Sequence, residues 1–290
     1  MIDICICTYR RTSLAMTLQS LATQTNISDC RVIIADNDLE PSARDLVERI
    51  RAKYPAPVIY LHAPAKNISI ARNACLEATS APLVAFIDDD LVASKTWLSA
   101  LINKQAGTGA DAVFGPVQAE YPPSSPGWLR AADLHSIKPV FVNGEIETGY
   151  TCNVLMRREL AKSAQFDPQL GSSGGEDTIF FYQAWRSGAR FAYAPEAVIH
   201  EQVETSRLNL NWLLKRSFRS GQSYARILQS RMSERKLALV PAGVKFFWCC
   251  LTAALTFPIA HLWRKNLVRG ALHLGSFSKL ISFSDLKIYR

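Results

Sequence analysis

The chain has 290 residues, 48% of them hydrophobic, with 33 Lys and Arg against 25 Asp and Glu, a formal net charge of +8. That length and apolar content argue against disorder and fit one large core, or one domain with an appendage. The charge is unevenly placed: residues 207–290 carry 15 Lys and Arg against only Glu234 and Asp285, a net of +13, and 1–206 carry 18 basic and 23 acidic residues, a net of −5. A basic tail on an acidic body favours polyanions, whether nucleic acid, anionic lipid or a pyrophosphate group. The seven cysteines, at 5, 7, 30, 75, 152, 249 and 250, show no CxxC or Cys/His metal spacing. The first residues, MIDICICTYRR, read as a strand rather than a signal peptide, which together predicts a reducing, cytoplasmic compartment.

In chain order, IDICICTY at 2–9 predicts a buried strand, and Leu14, Leu18, Leu21 and Ala22 recur at helical spacing behind a Thr12/Ser13 cap. CRVIIADND at 30–38 predicts a second strand ending in acid. A helix follows from Pro41, with Leu46, Val47, Ile50 and Tyr54 on one face; Pro55 and Pro57 close it before a strand at 58–62. Residues 68–79 read as a helix feeding VAFIDDD at 84–90, an apolar run that stops in Asp88, Asp89 and Asp90, and 94–105 reads as the next helix. This βαβα rhythm predicts a mostly parallel, doubly wound α/β sheet. Beyond about residue 115, Tyr121, Pro122, Pro123 and Pro126 mark a loop-rich stretch, and a loop that long is usually functional. Residues 178–187 predict a helix stopped by Gly188, and 191–200 return to extended structure. The tail mixes large apolar residues with Arg and Lys over 210–236. Phe246–Leu262 is charge-free and just reaches the lower limit of ~17 residues for a membrane span, but Pro258 and His261 lie inside it, so a buried or interfacial hairpin is favoured over a span.

Four segments fall at the C-terminal ends of predicted strands or just before a helix: Thr8–Arg11, Asp36–Asp38, Asp88–Asp90, and the loop after Gly174 with Glu176 and Asp177. In open α/β sheets that edge binds ligands. Clustered carboxylates there repel one another unless a cation or donors neutralise them, so a divalent ion carrying a phosphorylated ligand is the leading idea and a solvated acidic turn the plainer one. A helix N-terminus keeps Asp177 ionised, fit to take a proton from a hydroxyl; capping the helix is its alternative role. His200 is either a metal ligand or a structural histidine.

Taken together, ICTYRR at 4–11, ADND at 35–38, NISIARNACLEATSAPLVAFIDDD at 67–90, TCNVLMRRE at 151–159 and GGEDTIFFYQAW at 174–185 resemble glycosyltransferase family 2, over roughly 1–205. Within it the chain is similar to bacterial exopolysaccharide glucosyltransferases of the succinoglycan ExoM type. The resemblance implies a GT-A fold and an inverting, metal-assisted transfer from a nucleotide sugar. It implies that Thr8, Tyr9 and Arg10 line the nucleotide pocket, Asp36 bonds the uracil, and Arg72 lies near the nucleotide and its phosphates. Asp88 and Asp89 fall to the nucleotide sugar, Asp90 to Mn²⁺ or Mg²⁺ with His200 as a further ligand, Glu176 to the sugar or acceptor, and Asp177 to the catalytic base. No QxxRW follows the base, which argues for addition of one sugar rather than polymerisation. Arg216 or Arg219, in LLKRSFRSGQ, is set either against a diphosphate or on a solvated helix face.

The expectation is therefore a GT-A domain at 1–205 and a basic, apolar, helical membrane-associating region at 206–290. Its function would be to move one sugar, with UDP-glucose as leading donor, onto a polyprenyl-diphosphate-linked oligosaccharide in exopolysaccharide synthesis. It would work at the cytoplasmic face of the inner membrane, touching its lipid. The alternatives are a sugar nucleotidyltransferase, disfavoured because TYRRTSLAMT lacks a Gly-rich loop, and a nonenzymatic membrane adaptor. An acidic body without interleaved aromatic and basic strands counts against nucleic acid.

Overall fold

The computed structural model describes residues 1–231, 235–281 and 285–286; Glu234 lies outside them. The elements are β1 (Ile2–Thr8), α1 (Leu14–Ala22), β2 (Cys30–Asp36), α2 (Arg44–Arg51), β3 (Val58–His62), α3 (Ile68–Ala78), β4 (Leu83–Ile87), β5 (Leu91–Ala93), α4 (Trp97–Thr108), β6 (Ala112–Phe114) and β7 (Val117–Glu120). Then come α5 (Gly127–Ala132), β8 (Phe141–Val142), β9 (Glu145–Ile146), β10 (Asn153–Arg157), α6 (Leu160–Ser163), α7 (Glu176–Arg186), β11 (Phe191–Tyr193), β12 (Ile199–Gln202), α8 (Leu210–Arg231), α9 (Arg235–Leu255) and α10 (Ala260–Leu280).

Side chains alternate across a strand, and β1 uses both of its faces. Ile2, Ile4 and Ile6 pack into a core with Leu14, Leu18 and Leu21 of α1 and Trp97, Leu98 and Leu101 of α4. Cys5 points the other way, into a core with Ala71 and Cys75 of α3 and Phe180 and Phe181 of α7. A strand buried on both faces reads as a continuous apolar run, which is why 4–7 and 32–35 carry no charged residue. Asp3, near the start of β1, is fully buried and accepts two hydrogen bonds from Arg31 at 2.8 and 2.7 Å and two from the Ser80 and Ala81 amides at 2.7 and 2.9 Å.

The main sheet has seven strands in the order β11-β6-β10-β4-β1-β2-β3. Pairs β1·β2, β1·β4, β2·β3 and β6·β11 are parallel, and β10 runs antiparallel to both β4 and β6. This is the mostly parallel mixed α/β sheet flanked by helices that the sequence predicts. Several local expectations are corrected. Ser13 sits at the cap position of α1 but makes no capping hydrogen bond. Residues 191–200 are two strands of different sheets, β11 in the seven-stranded one and β12 between β5 and β7. The loop-rich stretch holds the short helix α5 and the β8–β9 hairpin.

The chain divides into two units: Met1–Gln118, Ser136–Gly171 and Glu176–Glu201 form the first, and Ala119–His135, Ser172–Gly175 and Gln202–Arg290 the second. The second unit thus starts at Gln202 and adds two segments from within the expected 1–205 domain. In it α8 and α10 pack with their backbones nearly touching: a Cβ on Gly221 would run into the Leu272 carbonyl, and one on Gly275 into the Phe218 carbonyl. Asp285 pairs with Arg226 at 2.7 Å and Lys279 at 3.0 Å. The 246–262 stretch is not one helix, because Thr256–Pro258 turn between α9 and α10. Among the described residues no helix is long and apolar enough to cross a membrane.

Candidate active site

The register brings the predicted residues to one edge of the first unit. Thr8 pairs with Asp36 and Asp36 with His62, so β1, β2 and β3 end side by side, and β4, on the other flank of β1, runs out at Ile87 into the acid triplet. Because these strands are parallel, their C-terminal turns open on the same side.

At the β1–β2 corner almost every polar group has a partner. Thr8 Oγ1 donates to Asp89 Oδ2 at 2.6 Å, which ties the end of β1 to the triplet. Arg10, at φ 53° in the left-handed region, turns its Nε onto Asp38 Oδ2 at 2.6 Å and lies against Tyr9, 5.5 Å from the ring centroid. The Arg10 guanidinium, first among its neighbours, holds the Asp38 carboxyl below its ordinary range. Asp36, expected to bond the uracil, is fully buried: Oδ1 accepts from the Asp38 amide at 3.1 Å, and Oδ2 from the Ala43 amide and the Tyr60 hydroxyl, both at 2.8 Å. In this conformation Asp36 shapes the 37–43 turn, and direct contact with a base would require that turn to open. Asn37 continues the network by accepting from the Asn67 amide at 3.1 Å, and Asn67 caps α3 through Ser69 and Ile70.

The β4 side is different, because acids face acids. Arg72, on α3, is buried and makes a charge-assisted hydrogen bond to Glu176 Oε1, lies 3.9 Å from Asp88 Oδ1, and sits 5.6 Å from the Phe166 ring centroid. Burial works against the Arg72 charge, but Glu176, Asp88 and Asp177 together more than offset it and hold the guanidinium protonated. Glu176 is drawn two ways: burial pushes its carboxyl up, and Arg72 pulls it back. Its Oε2 is buried with no hydrogen-bond partner among the described residues. An acceptor oxygen left like that costs about 1–3 kcal/mol, and a donor hydroxyl brought in by a ligand would relieve it.

Asp88 lies in a recess crowded by protein yet open at its mouth, with 43% of its side chain exposed. Burial, then the charges of Asp90, Asp89 and Asp177, push its carboxyl up to about 7 against the pull of Arg72. Asp89 is pushed up to about 6, again mainly by burial, with the Thr8 hydrogen bond opposing. Asp90 lies 3.8 Å from Arg11. Asp177, half-buried in the first turn of α7, accepts at Oδ1 from its neighbour Thr178, through the amide at 2.6 Å and the hydroxyl at 3.3 Å. These bonds fix the carboxylate locally and involve one oxygen only.

His200 pairs with Val92 across β12 and β5, so these two residues share a face of the three-stranded sheet. Among the described residues, however, no group of three or more His, Cys, Asp or Glu is arranged to hold a metal ion. Two carboxylates can still suffice when a diphosphate and water complete the shell, as with Mg²⁺. The crowding of Asp88, Asp89 and Asp90 is the kind of repulsion that a cation relieves.

In the second unit, Arg216 stacks on Trp212, 5.3 Å from its centroid, and Arg219 donates to the Ser173 carbonyl at 3.3 Å. Gly174 and Gly175, at φ 81° and 88°, leave no room for a Cβ against Arg219 and Ser223. The sequence marked Asp38 only as the end of the Asp36–Asp38 segment, with no role of its own, and did not mark Asn67 or Phe166. Their signals were weak ones: an acid two residues past a strand end, an Asn at a helix start, and an aromatic within a short loop.

Comparison with known proteins agrees with this geometry. Residues 3–164 match the family Glycosyl transferase family 2. The chain is 46% identical over 295 residues to the succinoglycan biosynthesis protein ExoM of Rhizobium meliloti (strain 1021), covering 99% of this chain and 95% of that protein. It is 25% identical over 242 residues to glucosyl-dolichyl phosphate glucuronosyltransferase of Haloferax volcanii, covering 77% and 75%. Among solved structures, S. aureus TarS 1-349 in complex with UDP superposes with a TM-score of 0.56 at 16% identity, covering 95% of this chain and 90% of that one. The complex of the same protein with UDP-GlcNAc gives 0.56 at 15% identity, covering 95% and 91%. That likeness shows the GT-A-type fold, and the profile match and the identity to ExoM show the lineage: the chain is a glycosyltransferase belonging to glycosyl transferase family 2.

Proposed function

We propose that this enzyme transfers a single sugar, with glucose from UDP-glucose as the leading donor, to a polyprenyl-diphosphate-linked oligosaccharide in succinoglycan-type exopolysaccharide synthesis, with inversion at the anomeric carbon. The name of the ExoM relative supports the biosynthetic setting, and the UDP and UDP-GlcNAc complexes of the TarS neighbour support a uridine nucleotide donor. The observation that carries the mechanism is the pair Glu176 and Asp177 at the start of α7, one locked to a buried arginine and the other half-open.

A single displacement needs one base on the attacking side and charge neutralisation on the leaving side. Asp177 is the base: held by Thr178 at Oδ1, it accepts the proton of the acceptor hydroxyl as that oxygen attacks the anomeric carbon. Glu176, with Oε2 unsatisfied, accepts a hydrogen bond from a sugar hydroxyl and orients the ring. Arg72 holds Glu176 in place. Thr8, Tyr9, Arg10 and Arg72 line the nucleotide side, where a guanidinium suits phosphate oxygens. Asp90, with His200 as a further candidate, is the residue that would hold Mn²⁺ or Mg²⁺, whose charge would offset that of the departing diphosphate, and Asp88 and Asp89 serve the nucleotide sugar. The acceptor's lipid anchor brings the enzyme to the cytoplasmic face of the inner membrane as a peripheral protein.

Calorimetric titration of UDP into the full-length protein, with and without Mn²⁺, tests the donor side without knowledge of the acceptor. Binding that strengthens with Mn²⁺ supports the reading. Absence of binding by folded protein in both conditions overturns it.

A further inference from the structure

Helix α9 is built inside out for a helix in water. The residues it buries are small: Ala242, Cys249 and Ala253, at 5%, 4% and 5% exposure. Most of its large apolar side chains point outward: Val240, Val244, Phe247, Trp248, Leu251 and Leu255, from 42% exposed at Leu251 to 73% at Leu255, while Leu239 and Phe246 are half-buried. Their spacing of four, three, one, three and four residues is one continuous stripe of an α-helix, about 22 Å long at 1.5 Å per residue. Phe257 and Ile259 in the following turn extend it, at 66% and 47% exposure. A contiguous apolar surface of this kind on a soluble unit marks an interaction site, and small residues between helices with large ones outward is the packing pattern of helices that meet lipid.

The charges around the stripe indicate what covers it. Residues 235–280 contain seven Lys and Arg and no Asp or Glu. Lys245 is exposed on α9 itself, and Lys265 is exposed on α10. Arg264 lies between two aromatic rings, 4.8 Å from Trp128 and 4.2 Å from Trp263. Two copies of this chain joined through the stripe would set Lys245 against like charges with no acid on either side to offset them. An anionic lipid surface offers apolar depth for the stripe and negative headgroups for the cations. Interfacial helices carry this composition, and the lysine in mid-helix fits a helix lying in the headgroup plane rather than crossing the bilayer.

We infer that the outer face of α9, from Val240 to Leu255 with Phe257, is the surface by which this enzyme docks on anionic lipid bilayers. It rests on the transferase reading only in that a lipid-linked acceptor makes a membrane available.

The test uses full-length protein and unilamellar vesicles of phosphatidylcholine alone or mixed with phosphatidylglycerol. Wild-type protein is expected to sediment with the anionic vesicles, less with the neutral ones, and less as salt rises. The triple variant Phe247→Glu, Trp248→Glu and Leu251→Glu should lose about tenfold or more in vesicle affinity while binding UDP as the wild type does. Undiminished vesicle binding by the variant overturns the inference. So does a lipid-free dimer that the variant converts to monomer with no change in vesicle binding, which would identify a second copy as the occupant. A milder variant guards against misfolding: brominated phosphatidylglycerol vesicles should quench wild-type tryptophan fluorescence, and Trp248→Phe should remove most of that quenching. Quenching retained in Trp248→Phe also overturns the inference. Wild-type protein that binds vesicles but not UDP would leave the docking face standing and remove the transferase proposal.

Discussion

The two flanks of β1 treat acidic residues in opposite ways. On the β2 side, Asp36 and Asp38 each meet donors from the protein, and the Asp38 carboxyl is held low. On the β4 side, Asp88 and Asp89 are pushed up, and a buried oxygen of Glu176 lacks a partner among the described residues. Where each carboxylate has its donors the acids act as scaffold. Where they crowd one another the protein stores unfavourable electrostatics that only a ligand, a cation or a proton relieves, and that is where chemistry is expected.

The contrast can be broken most severely at the base. Asp177→Asn should lower kcat for sugar transfer by about 10²–10⁴ with UDP affinity unchanged by calorimetry. Full activity would remove the base assignment. Arg72→Met comes next. It strips a buried cation from Glu176 and Asp88, and breaking a buried pair from one side costs about 3–5 kcal/mol; urea denaturation should show that loss, and a smaller loss in the double variant with Glu176→Gln. A cost that is the same in both backgrounds would show that the pair is not coupled.

Where β1 meets the triplet, Thr8→Val leaves the buried Asp89 without its hydroxyl donor and should cost about 1–3 kcal/mol in the same urea assay. Loss of that donor should also push the Asp89 carboxyl further up.

A gentler probe is pH. The carboxyls of Asp88 and Asp89 are raised in the folded state, so unfolded chain releases their protons first. The stability they confer is whole below their ordinary value of 3.8 and drains away as pH rises toward about 6 for Asp89 and about 7 for Asp88. In metal-free protein Tm should therefore fall between pH 4 and 7 by a few degrees, on the order of 3 °C, and the Asp88→Asn variant should show a flatter profile. Mn²⁺ should raise Tm most at the alkaline end, where the triplet is fully charged. A profile unchanged by Asp88→Asn would place the titrating group elsewhere. The smallest effect is expected at Arg10, whose side chain is 58% exposed. Arg10→Ala should leave stability unchanged and weaken UDP binding by only a few fold, and a large loss of stability would contradict its surface character.

Much of this contrast was legible in the residues. Apolar runs ending in acid at 36 and 88–90 marked β2 and β4, because a doubly buried strand must be apolar until it leaves the core. The edge carrying Thr8, Asp36 and the triplet followed from the βαβ rhythm. What could not be read was which way each acid turns. Asp36 folds inward onto Ala43 and Tyr60, and nothing in ADND separates it from Asp38. The partnership of Arg72 with Glu176 spans 104 residues and depends on how α3 and α7 meet, which local periodicity does not encode. The tail was legible in composition alone: the sequence shows that α9 is apolar, and only the packed structure shows that its small residues are the buried ones. Helix α5 escaped because prolines at 122, 123 and 126 read as loop, although Pro126 ends as the cap that opens it.

The glycine seam between α8 and α10 has a mechanical side. With Gly221 and Gly275 letting the two backbones lie almost in contact, the pair behaves as one stiff strut, and small hydroxyls lace the seam: Ser217 donates to the Val268 carbonyl and Ser276 to the Gly221 carbonyl. A single methyl group at either position is then a wedge. Alanine scanning elsewhere in the tail trims atoms away, but Gly275→Ala adds one carbon and forces levers of 22 and 21 residues apart at their closest approach, so the tail's rigidity hangs on two hydrogens.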